Sequence, residues 1–302
     1  MNSAKLEQEY ARIISALTRT GITTHLPRSE KVGVISIDGN EYPVPTLGQL
    51  GEAFTRNQGL VDRKMQQGFT QLKLTPIAMP TGQLMERVET ALREHAAAGK
   101  ITETKHDGAD EDCVVRVNTA KPVWIWERVR QTLDTPNLVY FPQAYTAHDH
   151  EGLTKEEVMQ DTRFCAVPGW SVGLIEPIAI MPQPGEGKII GGRQQLERYA
   201  APRDYLQTLS HATYEGETGW TPEDFLTHFL TQLERTNQVS HARKDSNALW
   251  LLGAFMPNAM PKALLVPVGY WAHNGGRLHL TAHRTGNRLK DWVARSTVRL
   301  GT

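Results

Sequence analysis

The chain is poor in cysteine: Cys113 and Cys165 are the two thiols in 302 residues. Two distant thiols cannot build a disulfide framework, nor can they alone close a four-cysteine zinc site. They fit reduced core residues in a reducing compartment. Long apolar runs are missing too. The longest, at residues 248–256 and 263–268, fall well short of the roughly 18 that suggest a membrane span. Residues 1–19 mix charges with apolar side chains at helical spacing, without the 7–15 consecutive apolar residues of a secretory core. The expectation is a soluble, cytoplasmic protein with no membrane partner. No repeat of solenoid period is visible.

Net charge is zero, so the chain as a whole has no pull toward nucleic acid or anionic lipid. Catalytic signatures are also lacking. There is no G-x-S-x-G elbow, no H-E-x-x-H pair and no kinase-like set. Cys165, in RFCAVPGW, has no identifiable His partner, and no two carboxylates are legibly paired for acid–base work.

What is present is an ordinary globular composition. With 39% hydrophobic and 22% charged residues, wholesale disorder is excluded. The length supports one compact unit with a substantial core. A division into residues 1–212 and 222–302 is the alternative, with residues 213–221 as connector. Apolar spacing predicts helices over residues 4–20, 46–68, 83–98, 203–209 and from Thr221 onward, with a break near Gly59. Thr221-Pro-Glu-Asp is the best helix start, with a capping Thr, Pro at the first position and acids in the first turn. A second capping pattern begins at Thr154.

Strands are expected at residues 32–37 and 41–44 around Asp38-Gly39, and at 72–79, 113–117, 123–126, 138–141 and 171–180. Three more close the chain, at residues 249–255, 264–271 and 277–283, with Asn274-Gly275-Gly276 turning between the last two. The tail at residues 288–300 fits helix and strand equally. Elements intersperse without a βαβα rhythm. The expected fold is therefore α+β, a mixed and mostly antiparallel sheet with packed amphipathic helices and a C-terminal β-hairpin.

Charge is unevenly placed. After Ser246 there are seven basic residues, Lys262, Arg277, Arg284, Arg288, Lys290, Arg295 and Arg299, against one acid, Asp291. Acidic stretches lie at residues 103–112, 149–161 and 215–234. Such asymmetry points either to an anionic partner or to two parts of one molecule attracting each other.

Three constellations could carry chemistry. Strand alternation puts Arg277, His279, Thr281 and His283 on one face of the terminal hairpin, and Leu278, Leu280 and Ala282 on the other. With Tyr270, Trp271, His273 and Trp292 nearby, and with Arg284, Arg288 and Lys290 continuing the charge, this is the mix that a nucleic-acid or other polyanion site needs. The second constellation is the loop Gly185, Gly187, Lys188, Gly191, Gly192, Arg193, whose backbone N–H groups could cradle a phosphate. It matches neither the P-loop nor the dinucleotide glycine spacing. In the third, His148 and His150, spaced to project to one side of an extended segment beside Glu151, could share a divalent metal. The expected function is a non-catalytic polyanion-binding protein using the C-terminal sheet; the alternatives are a metal-dependent hydrolase using His148 and His150, and a structural or protein-interaction module with no small-molecule site. Each constellation also has a plain reading: a half-exposed sheet, a flexible turn and a solvated loop.

Overall fold

The computed structural model describes residues 3–99, 101–103, 114–178, 181–240, 248–260, 263–290 and 292–301. The fold is α+β, with helices interspersed among mixed, mostly antiparallel sheets. Residues 104–112 of the first acidic stretch, Cys113, residues 179–180, Lys262 and Asp291 lie outside the described residues.

The larger sheet has seven strands and is centred on Ala263–Ala272. One edge of that strand pairs along most of its length with Arg277–Arg284, from Leu265 opposite Arg284 to Ala272 opposite Arg277. Val123–Ile125 adds beyond it in parallel. The other edge is shared between Ala248–Trp250 and Ala254–Met260. Trp292–Ala294 pairs in parallel with the first of these, and Val139–Tyr140 antiparallel with the second. The hairpin turns through His273–Gly275, and Gly276 closes it in the left-handed region at φ 58°. A side chain at Gly276 would also strike the Arg116 carbonyl, so the turn requires glycine there on both counts.

The smaller sheet orders Glu217–Gly219, Ser296–Arg299, Ser171–Ile175 and Gln71–Thr75, all antiparallel. The Pro222–Thr236 helix packs against strands of both sheets. Its start is a reciprocal cap. The Asp224 N–H donates to the Thr221 hydroxyl at 3.2 Å, and the Thr221 N–H donates to the Asp224 carboxylate at 3.0 Å. Phe225, Leu226, Phe229, Leu230 and Leu233 are fully buried, as their spacing predicts. Burying each such side chain contributes roughly 1.5–3 kcal/mol. Gly269 leaves room for the Phe225 ring, and Phe229 stacks on Trp271 with centroids 6.3 Å apart. The buried apolar residues join in one cluster running from Leu6 to Leu300.

Several sequence expectations need adjustment. The N-terminal hairpin, Val32–Ile35 with Glu41–Pro43, turns through residues 36–40 instead of through Asp38-Gly39 alone. Asp38 accepts the Asn40 N–H and the Ser36 N–H bonds the Asn40 carbonyl, which builds the wider turn. The 46–68 helix breaks at Asn57, two residues before Gly59, where the Asn57 amide donates to the Ala53 and Gly301 carbonyls. The expected 249–255 strand is two strands separated by a turn at residues 251–253. The ambiguous tail holds the strands Trp292–Ala294 and Ser296–Arg299. Among the described residues no helix is long and apolar enough to cross a membrane.

Candidate anion-binding face

Register decides which hairpin side chains share a face. Tyr270 lies opposite His279, Val268 opposite Thr281 and Val266 opposite His283. Along Arg277–Arg284 burial alternates. Arg277, His279, Thr281 and His283 are half-buried, Leu278, Leu280 and Ala282 are buried, and Arg284 is exposed. The face carries a row of rings, of which Trp124, His279 and His283 are half-buried and Tyr270, Trp250 and Trp292 buried. Trp124 lies 4.9 Å from His279, and Tyr270 stacks on His279 at 5.0 Å with its hydroxyl 3.3 Å from Nδ1. His283 meets Trp292 edge-on at 4.6 Å, and Trp292 tilts against Trp250 at 4.6 Å.

Trp271 does not belong to this face, which corrects the sequence reading. It pairs with Leu278, projects to the opposite side and is wholly buried against Phe229. The two-residue period that puts Tyr270 on one face puts Trp271 on the other.

Beside the face, the loop at residues 285–290 gathers positive charge. Arg284, Arg288 and Lys290 are exposed there. The Pro202–Leu209 helix brings in Arg203, whose N–H donates to the Thr285 carbonyl at 3.2 Å and whose guanidinium lies against Gly286. Asp204 answers this group by pairing with Arg288 at 2.7 Å and standing 3.7 Å from Arg203. Those two cations remain 61% and 68% exposed, so the ion pairs stay solvated and weak. In the short Glu127–Arg130 helix after the Val123–Ile125 strand, Arg128 rests over Trp126 at 5.9 Å and donates to the Ala259 carbonyl at 2.8 Å.

Not all the C-terminal cations face outward. Arg299 is buried and holds Asp224 at 2.5 Å, and Arg295 is buried beside Trp220, its guanidinium 5.6 Å from that ring. Part of the charge asymmetry is therefore internal packing against the 215–234 acidic stretch. What faces solvent is concentrated around residues 284–290.

The glycine loop is built for something other than phosphate. Glu197 already occupies it, accepting the Gly185 N–H at 2.9 Å and the Gly187 N–H at 2.8 Å, while the Lys188 N–H donates to Gln195. The segment is a small hairpin, Ile189–Ile190 with Arg193–Gln194, turning at Gly191 and Gly192 with φ 55° and 79°. The next helix, Pro202–Leu209, begins well past the hairpin, so the glycine loop does not lead directly into a helix N-terminus. Lys188 is exposed, but Arg193 is wholly buried and grips Glu217 with two bonds of 2.7 Å. Glu197 thus takes the Gly185 and Gly187 N–H groups, and Glu217 takes the Arg193 guanidinium.

At the third constellation, His148 and Glu151 are exposed and His150 is half-buried. The segment is not extended. The His150 N–H turns back to the His148 carbonyl at 3.0 Å, and Glu151 has φ 51°. His150 Nδ1 accepts the Gly152 N–H at 3.1 Å. Among the described residues no group of three or more His, Cys, Asp or Glu converges to hold a metal. The i, i+2 projection that motivated the metal reading is lost in this turn.

Sequence reasoning missed three buried ionic clusters. Lys73 and Arg299 share Asp224, which also accepts from Thr75 at 2.7 Å. Lys64 and Arg193 share Glu217, each at 2.7 Å. Lys155 joins Asp134 at 2.5 Å to Glu223 at 3.0 Å, and Tyr140 donates to Glu223 at 2.7 Å. The signal was a charge inside an apolar run, as in Leu72-Lys73-Leu74 and Val298-Arg299-Leu300. The Arg299 and Lys73 charges hold the Asp224 carboxyl far below its usual range despite burial. Burial and the nearby Arg299 and Arg295 charges pull Lys73 down to about 7. The two shifts agree physically, because one carboxylate attracts more than one cation. Cys165 is buried and its thiol is pushed up to about 12, which removes it as a nucleophile near neutral pH.

Comparison of the chain with models of known protein families, with curated proteins and with solved structures finds no match in any of the three.

Proposed function

We propose that this protein is a non-catalytic binding protein for single-stranded nucleic acid. The ligand lies along the outer face of the seven-stranded sheet, with its phosphates toward the 284–290 loop. The observation that carries this reading is the gathering of Arg203, Arg284, Arg288 and Lys290 near one acid, Asp204, at the end of the strand that carries the half-buried Trp124–His279 pair. Phosphates would meet the cations, and a base would stack on the exposed part of Trp124 or His279. Base stacking of this kind is worth roughly 1–3 kcal/mol per base. Commitment to single strands follows from the rings, which a duplex would leave unused.

The test is titration of a labelled single-stranded oligonucleotide at several salt concentrations. Neutralising about four phosphates predicts a log–log slope near −3. Weak binding with a flat salt dependence would rule the reading out. Equal binding of heparin would assign the face to polyanions without base recognition.

A further inference from the structure

Among the described residues two aromatics hold left-handed backbone, Phe141 at φ 49° and Tyr199 at φ 69°. A bulky side chain is strongly disfavoured there and persists only where its surroundings dictate it. Packing accounts for Phe141. Its ring is buried, stacks on Phe164 with centroids 4.2 Å apart and lies under the Arg299 guanidinium at 4.5 Å. No such packing accounts for Tyr199, which is the one aromatic among the exposed large apolar side chains of the described residues, at 48% exposure. Its backbone is pinned from both sides. Arg198 is buried, its N–H donating to the Pro182 carbonyl at 3.0 Å and its guanidinium to the Met181 carbonyl at 2.7 Å. The Tyr199 N–H donates to the Trp292 carbonyl at 3.0 Å, and the Tyr205 hydroxyl closes back on the Glu197 carbonyl. These ties fix the left-handed turn whatever side chain stands at it. Glycine or asparagine would meet the backbone's need with less strain. The fold explains the turn, then, but not a tyrosine ring held out at it.

The position of that ring is informative. The segment at residues 199–204 is tied to the basic loop at both ends and in the middle. Tyr199 bonds the Trp292 carbonyl, the Arg203 N–H donates to the Thr285 carbonyl at 3.2 Å, and Asp204 pairs with Arg288 at 2.7 Å. The loop therefore runs from Arg203 at one end to Tyr199 at the other, with Arg288 and Lys290 exposed between them. Trp292, to which Tyr199 is bonded, closes the row of rings on the sheet, 6.5 Å from Tyr270 and 4.6 Å from His283. Exposed cations flanked by aromatic faces are what alternating phosphates and bases require.

We infer that Tyr199 is a stacking residue for a base of the bound single strand, at the other end of the basic loop from Arg284. The inference rests on the nucleic-acid reading of the sheet face and extends the path of the ligand. One base stacks on Trp124 or His279, the phosphates follow the cations of the 284–290 loop, and a further base stacks on Tyr199. Because the backbone at Tyr199 is already fixed, binding there costs little ordering entropy.

The test is anisotropy titration of the full chain with a labelled single-stranded oligonucleotide, and with an abasic strand of equal length, in the parent, Tyr199→Asn and Tyr199→Phe. Asparagine suits the left-handed backbone and removes the ring, so Tyr199→Asn should melt no lower than the parent. It should bind the oligonucleotide more weakly by about fivefold or more, the loss of one base stack. The abasic strand keeps the phosphates without the bases and should bind parent and Tyr199→Asn alike. Tyr199→Phe restores the ring and should recover most of the affinity. Parental oligonucleotide affinity in Tyr199→Asn overturns the inference and leaves the nucleic-acid reading standing. Equal weakening toward both strands also overturns it, and so does a lowered melting temperature accompanying the loss, which would assign the ring to the fold. Absence of salt-dependent binding in the parent removes the reading and the inference together.

Discussion

Tyr270 and His279 face each other across the terminal hairpin, their rings stacked at 5.0 Å and the Tyr hydroxyl 3.3 Å from His279 Nδ1. The pair sits mid-row between Trp124 on one side and Trp292 on the other. It fixes the orientation of a half-buried imidazole that would otherwise rotate freely. A strand residue held this way is preorganised, so binding to it costs little side-chain entropy. Tyr270→Phe keeps the stack and removes the hydroxyl. It should weaken oligonucleotide binding by less than threefold, whereas Trp124→Ala should weaken it by roughly 1–3 kcal/mol. Anisotropy titration of the two variants measures both effects.

Asp224 ties Lys73 and Arg299 together inside the smaller sheet. Asp224→Ala strands two buried cations, which costs about 3–5 kcal/mol when one partner of a buried pair is removed. Denaturant unfolding should show that loss. A change below 1 kcal/mol would mean that the cluster is solvated in solution.

Stability should respond to pH through Lys73. Its pKa falls from 10.5 in the unfolded chain to about 7 in the fold, so between those values the unfolded chain binds more protons. Stability then rises with pH across that window. Lys64 is depressed in the same direction by burial and adds to the rise. Cys165 acts oppositely once pH passes 9.0, where the unfolded thiol ionises and the buried one does not. The clean interval is therefore pH 7 to 9. The melting temperature should climb there, and less steeply in Lys73→Met.

Gly269 faces the Phe225 ring with no room for a β-carbon. Gly269→Ala forces the helix and the sheet apart and should cost roughly 1–3 kcal/mol by overpacking. Thermal melting of that variant beside Gly82→Ala, where a β-carbon meets nothing within 4 Å, isolates the effect.

Much of the architecture was legible in the sequence because it depends on local rules. The Thr221 cap, the 3.6-residue stripe of Phe225 to Leu233 and the Asn274-Gly275-Gly276 turn are all set by neighbours in the chain. The alternation of Arg277 to His283 was likewise readable, since strand period alone dictates it. What failed depended on distant partners. Trp271 and Tyr270 are adjacent in sequence and both buried, and the position of Phe229 tells which of them lies on the helix-covered side of the sheet. Arg193 looked like a phosphate ligand until Glu217, 24 residues on, claimed it. Arg203 carried no signal at all, and reaches the basic loop because its N–H bonds Thr285.

The proposed binding face stands or falls on the exposed cations of the 284–290 loop. The most direct measurement is the salt dependence of single-stranded oligonucleotide binding in the double variant Arg284→Gln/Lys290→Gln against the parent. Each lost phosphate contact lowers the slope by about 0.7, so the account predicts a slope shallower by roughly 1.4 with the thermal stability unchanged. An identical slope in parent and variant would contradict it.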